Sequence, residues 1–90
     1  MHPLIETQRR QIVELARRRG IANVRAFGSM ARGDSDVDLL VTLPPGASAL
    51  ALGGLLMDAQ DLLGRRVDVV TEPALHPALR DRVLASCVTL

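Results

Sequence analysis

Three aspartates stand at alternate positions, Asp34, Asp36 and Asp38, in the stretch GSMARGDSDVD from Gly28 to Asp38. On an extended strand, residues two apart point the same way. Asp36 and Asp38 would therefore project from one face at the start of the strand predicted for VDLLVTL, Val37–Leu43. A further carboxylate, Asp68, sits between Val67 and Val69 in a second apolar run, RVDVVT. A charge in such a strand costs on the order of several kcal/mol unless it is paired or bound to a cation. If the two strands are neighbours, Asp36, Asp38 and Asp68 converge at one end of a sheet. Hard carboxylate oxygens suit Mg²⁺ or Mn²⁺ better than zinc. A calcium loop of the EF-hand type is excluded, because Leu39 stands where glycine is required and the closing glutamate is missing. Asp34 reads as an exposed loop residue.

Just upstream, FGSMARG has the composition of a phosphate cradle. A strand ends, Gly28 permits a tight turn, and Ser29 opens a short helical turn, Ser29–Arg32. The N–H groups and partial positive charge at such a start attract phosphate. The Ser29 hydroxyl adds a donor, and the planar guanidinium of Arg32 can reach over the same group. A phosphate cradle beside a carboxylate cage can hold a nucleoside triphosphate with its metal ions. A pair of metals then stabilises the attacking and leaving oxygens of an in-line displacement at phosphorus.

The elements that must position these groups follow from periodicity. Leu4–Arg19 reads as a helix with Ile5, Ile12, Leu15 and Ala16 on one side and Gly20 as its C-terminal cap. Glu6 with Arg10 and Glu14 with Arg18 are acid-before-base pairs worth about 0.3 kcal/mol each. NVRAFG, Asn23–Gly28, is a strand whose Val24 and Ala26 face opposite to Arg25 and Phe27. The strand at Val37–Leu43 is apolar enough to be buried on both faces. PPGAS is a loop, and Ala49–Leu63 is a second helix ending at Gly64. Gly53 and Gly54 inside it, each costing about 1 kcal/mol relative to alanine, suggest the close approach of another backbone. Arg66–Thr71 is a third strand, EPALHP turns the chain, and Ala78–Ser86 is a final helix faced by Leu79, Val83 and Leu84. The expected architecture is a single α+β domain over residues 1–90. Its order is α-β-(α)-β-α-β-α, with a small mixed sheet of three or more strands and helices packed on it.

Composition narrows the function. With 11 basic and 10 acidic residues, one Phe, no Trp and no Tyr in 90 residues, the chain has neither the basic surplus nor the stacking rings of a domain that holds nucleic acid by itself. Cys87 is the single cysteine, so no disulfide forms within the chain and a reducing cytoplasm is the expected setting. It reads as a small core filler, and His2 and His76 as surface residues. The first residues lack the pattern of a signal peptide, and no apolar stretch is long enough to span a bilayer.

Taken together, FGSMARGDSDVDLLV and GRRVDVVT resemble the DNA polymerase beta nucleotidyltransferase superfamily, and most of all its minimal nucleotidyltransferase domains. The resemblance covers nearly the whole chain. It implies that Gly28 and Ser29 contact the triphosphate of ATP, where the residue-level reading also places Arg32. It implies further that Asp36 and Asp38 hold two Mg²⁺ ions (Mn²⁺ being an alternative), with Asp68 as the third catalytic carboxylate near the attacking hydroxyl. Such domains pair with helical HEPN toxins, act as the antitoxin, and transfer AMP to the partner. Only Met30–Ser35 separate the G-S pair from Asp36, fewer residues than family members usually carry. A second reading is therefore a binding module that neutralises its partner by contact. Leu50, Leu52, Leu55, Leu56 and Met57 spread around the second helix and predict a homo-oligomer or partner surface there.

Overall fold

A computed structural model describes the backbone of residues 3–27 and 37–90 and the side chains from residue 7 onward within those ranges. The first helix, α1 (Pro3–Arg18), leads to strand β1 (Ala22–Phe27); β2 (Val37–Thr42), α2 (Leu50–Leu63) and β3 (Val67–Thr71) follow. A single 3-10 turn (Glu72–Ala74), helix α3 (Pro77–Ser86) and a two-residue strand β4 (Val88–Thr89) complete the chain. The described strands form one mixed sheet in the order β3-β2-β1-β4. β2 runs parallel to β3 and antiparallel to β1, and β1 is antiparallel to β4. The predicted α+β class and mixed sheet are borne out, with β4 as an added strand.

The main core lies between the sheet and the α1–α2 pair. Ile12 and Ala16 from α1 and Leu55, Ala59 and Leu63 from α2 meet Val24 and Ala26 of β1, Val37, Leu39 and Val41 of β2, and Val67 of β3. All are aliphatic, as the near absence of aromatic residues requires. A fully buried leucine such as Leu55 contributes about 2 kcal/mol by transfer from water. Because side chains alternate along a strand, Asp38 and Leu40 face away from that core. Leu40 is nevertheless completely buried, so β2 is covered on both faces over Val37–Val41, as its apolar run predicts. Val83 of α3 is also buried, outside the main cluster.

The predicted stop at Gly20 has its full bonding pattern. Gly20 is left-handed at φ 72°. Its N–H donates to Arg17 O at 3.0 Å, and the Ile21 N–H reaches back to Ala16 O at 2.9 Å. These are the paired bonds of a Schellman cap, and Ala16 and Ile21 both enter the core, which closes the apolar contact of that motif. The Glu14–Arg18 pair is present at 3.5 Å, but Arg17 binds Glu14 more closely, at 2.6 Å. The side chains of Ile5 and Glu6 lie outside the described residues.

One expectation is corrected. A Cβ on Gly54 would collide with the guanidinium of Arg19, whereas one on Gly53 would meet nothing within 4 Å. Gly54 thus admits a side chain rather than a backbone, and that side chain is pinned by an ion pair to Asp58 at 2.8 Å. On α2, Leu55 is fully buried, whereas Leu50 is 85% exposed and Met57 57%. His76, read as an unremarkable surface residue, caps α3: its Nδ1 accepts from the Ala78 N–H at 3.1 Å. Cys87 is half-buried, and its thiol donates to Leu84 O at 3.4 Å. Among the described residues no helix is long and apolar enough to cross a membrane.

Candidate active site

Parallel pairing of β2 with β3 puts Val37 beside Val67, Asp38 beside Asp68, and Leu39 beside Val69. The valine and leucine pairs point to the helical core, so the two aspartates share the opposite face. Each is the second residue of its strand, which places both at the same end of the sheet. Adjacent strands lie about 4.8 Å apart, close enough for one cation to touch both carboxylates. On the other side of Asp38, β1 presents Phe27 in register. Flanked in this way, Asp38 is 4% exposed, and Asp68 is half-buried.

Like charges directly across a strand pair destabilise it, and a carboxylate withdrawn from water adds a desolvation cost. Asp38 and Asp68 side by side on adjacent strands therefore concentrate negative charge at this point, which positive charge can balance. Among the described residues the donors here are the carboxylate oxygens of Asp38 and Asp68, which fit a hard divalent cation such as Mg²⁺ or Mn²⁺. Among the described residues no group of three His, Cys, Asp or Glu side chains assembles. The remaining predicted site residues, Gly28, Ser29, Arg32 and Asp36, together with Asp34 and the predicted turn Ser29–Arg32, lie outside the described residues.

Two residues that sequence reasoning left without a role, or passed over, shape the surroundings. Arg25, in register with Leu40, lies on the aspartates' face and is only 14% exposed at its side chain. Its guanidinium donates to Glu72 Oε1 at 3.0 Å and to Asn23 O at 3.0 Å. Arg80 of α3 approaches the other oxygen of Glu72 at 3.7 Å. β1, the turn after β3, and α3 are thus tied together across β2. Arg25 is committed to this tie. Gln60, in the last turns of α2, accepts the Val67 N–H on Oε1 at 3.3 Å, immediately before Asp68. A polar residue near a helix end carries no sequence signal of such a contact. Arg65 and Arg66 are exposed.

Comparison with known proteins bears on this arrangement. The profile of the family described as "Nucleotidyltransferase domain" matches residues 8–90. A candidate protein adenylyltransferase of Methanocaldococcus jannaschii is 37% identical over 84 residues, which cover 89% of this chain and 90% of that protein. Protein adenylyltransferase MntA of Thermococcus cleftensis is 38% identical over 79 residues, 83% of this chain and 80% of that protein. Among solved structures, a candidate minimal nucleotidyltransferase superposes with a TM-score of 0.79 at 40% identity, covering 96% of this chain and 92% of its own. A toxin–antitoxin structure with AMP-PNP shares the fold at a TM-score of 0.68 and 21% identity, over 89% of this chain and 69% of its own.

Proposed function

Because the chain belongs to the nucleotidyltransferase domain family, we propose that it transfers AMP from ATP to a hydroxyl side chain of a partner protein, a HEPN-type toxin for which it is the antitoxin. The observation that carries this reading is the buried Asp38 paired in register with Asp68 on adjacent parallel strands. The relatives named as protein adenylyltransferases, at 37% and 38% identity, support the transferred group. The fold shared with toxin–antitoxin structures supports the kind of partner.

In the transfer, the acceptor oxygen forms a bond to the α-phosphorus of ATP, pyrophosphate departs with the bonding electron pair, and the hydroxyl proton leaves to a base. Asp36, Asp38 and Asp68 would hold the divalent cations, two Mg²⁺ ions in this reading. When bound, these supply charge neutralisation at the triphosphate and at the attacking and leaving oxygens. Asp38, closed off between Phe27 and Asp68, is the fixed donor. Asp68, more open to solvent, is the carboxylate an incoming hydroxyl can approach, and it takes up the proton. Gly28, Ser29 and Arg32 carry the triphosphate. The balanced charge and single aromatic residue of the sequence support a protein acceptor over a nucleic acid.

The test is to incubate the purified chain with labelled ATP, Mg²⁺ and the protein encoded beside it. Label should appear on the neighbour and should depend on Asp38 and Asp68. If no label moves, or if Asp38→Asn transfers as well as the native chain, the reading is wrong. A second reading, neutralisation by contact alone, is favoured by the exposure of Leu50 and Met57 on α2, an apolar surface also suited to a second copy of the chain. It predicts that Asp38→Asn still binds and silences the partner.

A further inference from the structure

We propose that Gln60 is a positioning residue that sets the place of Asp68 from outside the site. This inference rests on the reading of Asp68 as a metal-holding carboxylate. β3 is the outermost strand of the described sheet, paired on one side only, with β2. The Val37 N–H donates to Arg66 O at 3.1 Å, which identifies the Arg66 carbonyl as facing β2. Main-chain groups alternate in direction along a strand, so the next N–H, that of Val67, faces the outer edge. There the Gln60 side chain meets it, Oε1 accepting at 3.3 Å.

The same residue closes the preceding helix. The main-chain carbonyl of Gln60 accepts the N–H of Gly64 at 2.8 Å, and Gly64 is left-handed at φ 64°. Gln60 therefore holds both ends of the α2–β3 connection, ending the helix with its backbone and starting the strand with its side chain. Asp68 is the residue immediately after the one it grips. On its inner side the strand start is held by Val37, immediately before Asp38. The pair of carboxylates thus lies one residue beyond two opposed hydrogen bonds, and the outer one is supplied by Gln60. Without it, the entry of an edge strand is restrained on one side only.

Gln60→Leu removes the acceptor and Gln60→Glu keeps one of the same length. Two readouts apply: hydrogen exchange at the Val67 amide, and Mn²⁺ binding followed by electron paramagnetic resonance without nucleotide, with thermal melts as the control on folding. In Gln60→Leu the Val67 amide exchanges faster and Mn²⁺ binds about tenfold more weakly, the scale expected when a supporting partner of a metal ligand is lost; Gln60→Glu stays within about twofold of the native chain. An unchanged Val67 amide or unchanged Mn²⁺ affinity in Gln60→Leu overturns the proposal. So does a loss that Gln60→Glu shares in proportion to a lower melting temperature. If the native chain does not bind Mn²⁺, or Asp68→Asn binds it equally well, the metal reading itself falls and the role of Gln60 with it.

Discussion

Asp38 and Asp68 occupy facing positions on two parallel strands, one carboxylate nearly closed off from water and the other half-open. Their proximity has an energetic sign that can be read without any assay of transfer. With no cation present, Asp68→Asn relieves the like-charge contact with Asp38, a contribution of up to about 1 kcal/mol in the variant's favour, set against the loss of the carboxylate's own contact. Added Mg²⁺ should stabilise the native chain, by about 1.4 kcal/mol at ten times its dissociation constant, and should leave Asp68→Asn nearly unmoved. Thermal melts with and without MgCl₂ check both signs.

The two glycines of α2 respond oppositely to alanine. Gly53 faces open space, so Gly53→Ala gains helix propensity of about 1 kcal/mol. Gly54→Ala makes the same gain but drives the Arg19 guanidinium from its seat over the helix and breaks its pairing with Asp58. That pair, about one-third exposed at both side chains, is worth about 0–1 kcal/mol, so the net effect is close to neutral. In an Arg19→Ala background the two alanine substitutions should become equal. Denaturant melts of the three single and two double variants provide the cycle.

Leu55 is completely buried where α2 meets the sheet. Leu55→Ala should cost about 2–5 kcal/mol, which approaches the whole stability of a small domain. Leu50→Ala, at an 85% exposed position of the same helix, should cost almost nothing in the isolated chain. Urea unfolding separates the two. A loss of partner binding in Leu50→Ala without a loss of stability would identify the exposed side of α2 as the docking surface.

Glu14 is held at about 2, below its ordinary 4.5, chiefly by the hydrogen bond from Arg17 and then by the charges of Arg17 and Arg18. A carboxylate whose pKa falls on folding stabilises the fold above its unfolded value. That contribution is present in full above pH 4.5 and is lost as the pH drops toward about 2. The side chain is solvent-exposed, so the effect is small and screened by salt. Glu14→Gln should lower the melting temperature slightly at pH 7 in low salt. The difference should vanish near pH 2 and in concentrated NaCl.

The elements that the sequence announced are those with long periodic patterns or a defined stop. α1 carries its apolar stripe at Ile12 and Ala16 and its glycine cap; β2 is a run of apolar residues broken only by Asp38; α2 ends at a glycine. What it hid depends on partners remote in the chain. β4 is two residues long and exists because Arg25 and Ala26 offer it a ladder, and no pattern of alternation fits in two residues. Asp38 and Asp68 were legible as charges misplaced in apolar strands, but their pairing depends on β2 and β3 being neighbours in register. The room at Gly54 could not be foreseen, because Arg19 reaches it from the turn that follows a different helix. Leu50 and Met57 were legible as apolar residues in excess of one packing face, and they are exposed, since a helix packed on a small sheet needs only one of its sides.

β1 takes hydrogen bonds from both directions, from β2 on one flank and from Val88–Leu90 on the other, and Arg9 of α1 donates to Thr89 O at 2.6 Å. One of its edges is supplied by residues some sixty positions further along the chain, with Leu90 bonding back to Val24. During synthesis β1 therefore keeps a bare β-edge until Val88–Leu90 have emerged, and the sheet closes only then.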